Sequence, residues 1–335
     1  MLRKNKRYEA GFAMKAIDIE KEKLVLRDIK DPLTNPGEIL IKTTATAINR
    51  ADLVQRSGLY PPPPGASPIL GLECAGEIIG LGEGVEGFEE GQKVCALLTG
   101  GGYAEKVAVP EGQVLPIPSN FDTILSAAIP EVFGTAFLNL YMEANLVPKE
   151  RVLLHAGASG VGTAAIQLCK AFGNPCFVTA GNLEKIKFCK NLGADDGSVR
   201  TKENFLKKVL EWSGDSGVDV ILDPVGANYL SDNLKVLTID GRLALIGLMG
   251  GSECEIDLGQ VLMKRIKIIG STLRARSVPF KTHLMQELLK KVWPLFETNE
   301  IEPIIDKTFR LSEAEEAHEY VASNQSIGKV LLTVD

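Results

Sequence analysis

Val152-Leu153-Leu154-His155-Ala156-Gly157-Ala158-Ser159-Gly160-Val161-Gly162 reads as a short buried strand that turns through glycines into the first turn of a helix. Strand, tight turn and helix N-terminus in that order make a pyrophosphate site, because unpaired N–H groups and the positive end of the helix dipole face one point. In this reading Gly157 permits the tight turn, Ser159 stands where a second glycine is common, and Gly162 lets helix and strand pack closely. A glycine-rich turn alone is a weak signal, since a loop that only needs positive φ angles looks the same. The flanking sequence has to separate the two.

From residue 126 onward, apolar runs alternate with amphipathic stretches of helical period. Strands are predicted at 152–155, 176–179, 218–223, 243–247 and 266–270, with a weaker one at 196–199, and helices between them at 161–172, 183–192, 205–212 and 229–237. That alternation implies βαβ crossovers, and six strands complete a Rossmann doubly wound parallel sheet in an α/β protein. Before residue 118 the pattern differs. Short β-type runs at 16–19, 38–42, 77–81, 93–97 and 104–109, broken by Gly and Pro, predict a β-barrel. The segment after 271 offers helices at 280–296 and 313–322 and a strand at 329–334, too little to fold alone. Residues 1–130 and 271–335 are therefore expected to form one catalytic domain, with the nucleotide domain, 131–270, inserted and the active site in the cleft between them.

The bulk numbers narrow the function. A chain of 335 residues, 45% hydrophobic and 24% charged, has ordinary globular composition. A formal charge of −6 gives no general attraction to polyanions, which argues against nucleic acid and against acidic membranes as partners. No apolar run is long enough to span a bilayer. The six cysteines lack the close spacing of a zinc knuckle or redox dithiol, which suits reduced thiols in a cytoplasmic setting, and three scattered histidines suggest no metal centre. Residues 1–13, with Arg3, Lys4, Lys6 and Arg7, look like an appended tail.

The end of the second nucleotide strand chooses between the two nicotinamide cofactors, because a carboxylate there accepts hydrogen bonds from a free ribose 2′-hydroxyl. Here that end reads Val178-Thr179-Ala180-Gly181-Asn182, without an acid, and Lys185 follows one helical turn on. Lys185 is placed to meet a 2′-phosphate, with Arg200 as a second cation, so NADPH is preferred; Glu184 is a mild objection.

Further motifs make a resemblance plain. Asn49-Arg50-Ala51-Asp52-Leu53, Tyr60 through Pro63-Pro64-Gly65, Gly71-Leu72-Glu73, the glycine turn, Asp223-Pro224-Val225-Gly226, Gly247-Leu248-Met249-Gly250-Gly251, Leu273-Arg274-Ala275-Arg276 and Ile327-Gly328-Lys329-Val330 are similar to segments of the zinc-independent quinone oxidoreductases. These are members of the medium-chain dehydrogenase/reductase superfamily, and the likeness covers the chain from about Met14. It implies that the β domain is a GroES-like barrel. Zinc-dependent relatives place a cysteine at Asn49, a histidine at Leu72 and a cysteine near Glu131, and none of these is present. Without a Lewis acid to polarise an alcohol oxygen, the resemblance implies hydride delivery from NADPH to an acceptor that is already electrophilic, such as a quinone.

The same resemblance implies roles. Gly157, Ser159, Gly160, Val161 and Gly162 would hold the pyrophosphate, and Gly181, Lys185 and Arg200 would surround the 2′-phosphate, Arg200 replacing a tyrosine common in the family. Asn49 and Thr135 would lie by the nicotinamide and its ribose, with Gly247, Leu248, Met249 and Leu273 against the ring. Tyr60, on the proline-stiffened lip, is expected to meet the acceptor oxygen, and Asp52 is grouped with Asn49 and Tyr60 as catalytic, by orienting its neighbours or by moving a proton. His155 is expected only to end its strand. A one-electron outcome giving semiquinone stays open, as do reduction of an enone or enoyl thioester and a structural or regulatory NADPH-binding role. The apolar run 265–270, as the last strand of the sheet, predicts a homodimer through pairing with its copy.

Overall fold

The computed structural model describes residues 13 to 334; the expected basic tail lies almost wholly outside the described residues. Six parallel strands form one sheet in the spatial order Asp196–Val199, Cys176–Ala180, Val152–Leu154, Val218–Asp223, Leu237–Leu245, Lys267–Gly270. The order reverses direction between Val152–Leu154 and Val218–Asp223, and an α/β sheet opens a ligand crevice beyond the strand ends at such a point. The interior strands Val152–Leu154 and Cys176–Ala180 are buried at every position because helices cover both faces, which is why they read as continuous apolar runs. The helices between strands start on polar caps. Ser159, Asn182 and Asn204 each accept from the backbone N–H three residues on, satisfying one of the donors that a helix start leaves free.

A second sheet of seven strands is mixed. Its spatial order is Ile305–Arg310, Lys329–Thr333, Glu38–Ala47, Glu73–Leu81, Lys93–Leu97, Val114–Pro116, and Lys106–Pro110 also pairs with Glu38–Ala47. The hairpin Ala13–Glu20 with Lys23–Lys30 stands beside it. Chain after residue 300 thus enters this sheet next to strands from the first hundred residues. The helix Pro130–Phe137 joins the two halves: one continuous core runs from Ala45 and Leu97 through Phe133 and Phe137 to Val152, Ala244 and Leu288.

Several elements differ from expectation, each for a physical reason. The strands Lys23–Lys30 and Ile305–Arg310 are missing from the sequence reading because both lie at sheet margins with charged, half-exposed residues and little alternation. The helix expected over 280–296 is two, Val278–Lys291 and Trp293–Glu297, because Pro294 has no N–H to continue the ladder. The helix Leu258–Lys264 has no buried residue, so no apolar stripe marks it as facing a core.

Candidate active site

At the glycine turn the geometry corrects one detail of the sequence reading. The left-handed residue is Ala156, φ 54°, and Gly157 does not have positive φ. Gly157 is required by space instead: a Cβ there would lie 2.7 Å from Val178 Cβ, and one at Gly162 would lie 2.5 Å from the Ala156 carbonyl oxygen. An alanine held in the left-handed region costs of order 1 kcal/mol or more, a strain the surrounding packing must support. Ser159 Oγ accepts from Gly162 N at 3.0 Å, and the Ser159 carbonyl accepts from Thr163 N. Among the described residues the N–H groups of Gly160 and Val161 have no partner, so two donors at the start of the helix Gly160–Ala171 are left for an anion. His155 is buried, with Nδ1 against Thr179 Oγ1 and Nε2 against Asn233 Oδ1, and burial holds it neutral.

Beyond the second strand, Gly181 and Arg200 are neighbours: a Cβ on Gly181 would come 3.9 Å from Arg200 Nε. Lys185 is nearby but not free. Its ammonium donates to the carbonyls of Asn324 and Ser326, both at 2.7 Å, leaving one of its three donors. Burial lowers its pKa, the Arg50 and Arg200 charges act in the same direction, and Asp306 opposes them. Arg50, which the sequence reading did not assign, reaches Asn324 Oδ1 on the same loop.

A buried ion pair organises the next cluster. Lys329 Nζ lies 2.7 Å from Glu73 Oε1 and donates to Ile48 O and Asn49 Oδ1, both at 2.8 Å. Asn49 Nδ2 donates to Glu73 Oε1 at 3.0 Å, and Glu73 Oε2 accepts from Glu131 N at 2.9 Å. The lysine stem passes under the glycine turn, where a Cβ on Gly160 would meet its Cδ at 2.6 Å, and Gly328 N donates to Ala158 O. Behind this cluster Asp52 is fully buried and accepts from Asn49 N, Gly71 N and Tyr103 Oη, whose hydroxyl also meets His318 Nε2. Burial pushes the Asp52 carboxyl up to about 6 despite those bonds. Enclosed on all sides, Asp52 is placed to orient Asn49, Gly71 and Tyr103, the first of the two roles expected of it.

Tyr60 sits on the lip, half-buried. Arg274 stacks under it, with Cζ 5.4 Å from the ring centre, and donates to Tyr60 O at 3.3 Å and Thr99 O at 2.8 Å. Lys281 donates to Thr99 Oγ1 at 2.5 Å. Glu131 is the carboxyl whose charge is felt by Tyr60, Arg274 and Lys281 alike; burial and the Glu73 charge push it up to about 8. Leu273 packs beside Gly134, next to Thr135 on the helix Pro130–Phe137. The Gly247, Leu248 and Met249 loop folds over the Pro224 turn, Met249 N donating to Pro224 O, with the Leu248 and Met249 side chains exposed.

Contacts thus link the glycine turn through Lys329, Asn49 and Glu73 to the start of the helix that carries Thr135, and tie Lys185 to the same C-terminal segment. Glu73, Lys329, Glu131, Arg274, Lys281 and Thr99 went unassigned: Glu73, Lys329 and Arg274 stand in quoted motifs and Glu131 near the place where zinc-dependent relatives carry a cysteine, but only the fold makes them converge. The set does not fit a zinc ion. Leu72, where a relative has histidine, is apolar and buried, and the Lys329 ammonium occupies the acceptors of Asn49 and Glu73. Among the described residues no group of three His, Cys, Asp or Glu is arranged to hold a metal.

Residues 35–119 match the alcohol dehydrogenase GroES-like domain family, and residues 160–292 match the zinc-binding dehydrogenase family. The rat quinone oxidoreductase is 31% identical over 310 residues, 91% of this chain and 92% of that one. The human quinone oxidoreductase is 30% identical over 314 residues, 93% and 94% of the two chains. Among solved structures, an NAD-dependent alcohol dehydrogenase superposes with a TM-score of 0.84 at 28% identity, covering 96% of this chain and 100% of its own. The JamJ enoyl reductase gives 0.85 at 26%, covering 96% and 99%.

Proposed function

This chain belongs to the medium-chain dehydrogenase/reductase superfamily, and from that premise we propose that it is an NADPH-dependent quinone reductase that works without metal. The observation that carries the cofactor choice is the pair of free N–H groups at Gly160 and Val161, with Lys185 and Arg200 beyond a strand end that has no carboxylate. The residues fit the group. The close approaches at Gly157 and Gly162 hold strand, turn and helix tightly together, and the Gly160 and Val161 amides would bind the pyrophosphate, with Ser159 fixing them by capping the helix.

Gly181, Lys185 and Arg200 would surround the 2′-phosphate. Asn49 and Thr135 would flank the ribose and nicotinamide, with Leu273 and the backbone of residues 247–249 bounding the ring. NADPH supplies the hydride when bound. The chain's own part is to place the acceptor and exclude water, and Tyr60 Oη would hydrogen-bond the acceptor oxygen as negative charge develops there. The likeness to quinone oxidoreductases supports a quinone as acceptor. The likeness to an enoyl reductase supports a second reading, reduction of an enone or enoyl thioester by the same groups.

A panel of quinones and enones with NADPH tests this. Oxidation of NADPH is expected to require an acceptor and to be fastest with quinones; turnover of enones alone would select the second reading. Lys185→Ala is expected to weaken NADPH about tenfold while leaving NADH nearly unchanged, and equal loss for both would sink the phosphate assignment. The strand Lys267–Gly270 ends the sheet with Ile268 exposed, and Leu258, Leu262 and Met263 lie exposed on the neighbouring helix. This apolar edge supports a homodimer, for which Ile268→Lys should give a monomer in sedimentation.

A further inference from the structure

Two cations lie under the lip with little to balance them. Lys281 is 2% exposed and its only hydrogen bond among the described residues goes to the neutral hydroxyl of Thr99. Arg274 is 3% exposed, bonds only to carbonyl oxygens, and leaves Nη2 without a partner. Among the described residues neither forms an ion pair. Burial without a counter-charge is costly for one such group, and two of the same sign repel as well. The contrast with Lys329, equally buried but paired with Glu73 at 2.7 Å, shows that this fold can compensate a buried ammonium with a carboxylate.

The carboxyls whose charges act on them, Glu131 on both and Asp52 on Arg274, form no ion pair with either among the described residues, and burial with the Glu73 charge pushes Glu131 up to about 8, which weakens it as a counter-charge at neutral pH. The field at the lip is therefore positive, and it acts across low-dielectric protein on whatever rests against Tyr60 and Thr99.

We infer that the acceptor end of the cleft is an anion site, built for a quinoid acceptor that carries an ionised oxygen, which Lys281 and Arg274 attract through the Tyr60 and Thr99 wall. This rests on the quinone-reductase reading for the word quinoid but not for the charge. Binding of 2-hydroxy-1,4-naphthoquinone, an anion at neutral pH, is compared with that of its neutral 2-methyl ether by equilibrium dialysis of the full chain without NADPH.

The anion is expected to bind roughly tenfold tighter than the ether. Lys281→Met should abolish that preference and Lys281→Arg should keep it, with thermal unfolding confirming that both variants are folded. Equal affinities in the wild-type chain, or a preference that survives in Lys281→Met, would overturn the proposal. If the anion binds as expected but no quinone oxidises NADPH, the anion site stands and the reductase reading falls.

Discussion

The glycine turn at 157–162 is made of backbone from consecutive residues, whereas the lip draws Tyr60, Thr99, Glu131, Arg274 and Lys281 from separated stretches of chain. The first recognises its ligand with N–H groups that every residue possesses, so its sequence requirement is an absence of side chains. The second depends on which side chains meet, and on how their charges are compensated. A backbone site should fail by steric overlap and a side-chain site by lost charge balance, and the two failures differ in size and sign.

The largest effect is expected at the junction of the two regions. Lys329→Met leaves Glu73 fully buried without its ion-pair partner, which should cost about 3–5 kcal/mol in chemical denaturation. The double variant Lys329→Met with Glu73→Gln should recover much of that loss; if it does not, packing of the lysine stem under Gly160 matters more than charge. In the turn itself, Gly162→Ala forces a Cβ to within 2.5 Å of a carbonyl oxygen and should destabilise by about 1–3 kcal/mol. Loss of NADPH binding should accompany it, measured by titration, with no change in the affinity of the quinone anion.

The most gradual effect concerns pH. With its pKa raised from 3.8 to about 6, Asp52 holds a proton in the folded state that the unfolded chain has released, so between those values it adds stability as pH falls. His318 is lowered from 6.5 to about 4, so over nearly the same window it removes stability as pH falls. The two contributions oppose each other across the Tyr103 hydroxyl. In Asp52→Asn only the histidine remains, and stability should fall on acidification from pH 6 to 4 more steeply than in wild type, by about 1.4 kcal/mol per pH unit. Parallel stability curves for the two proteins would contradict this.

Legibility in the sequence follows the same division. The parallel sheet and its glycine turn could be read because buried parallel strands are continuous apolar runs and a close approach demands glycine. Even there the local detail shows only in the structure: space at Gly157 sets its requirement, and Ala156 carries the positive φ unannounced. Lys185 was found as a cation but not as a residue with two donors already engaged by Asn324 and Ser326. Lys281 could not have been found at all. It stands in the helix Val278–Lys291 with Lys290 and Lys291, and nothing in local pattern tells a buried lysine from solvated ones.

The contacts made by residues 324–329 also bear on how the protein comes into being. The Gly328 N–H closes onto the glycine turn, Lys329 ties Asn49 to Glu73, and the carbonyls of Asn324 and Ser326 hold Lys185. During translation every strand of the parallel sheet, 152–270, has been made before any of these residues exists. The nascent chain can therefore assemble the sheet early but must wait for its late residues to finish the cleft. Cofactor capture would then come late in biogenesis, because the last residues of the chain complete the contacts around the glycine turn and Lys185.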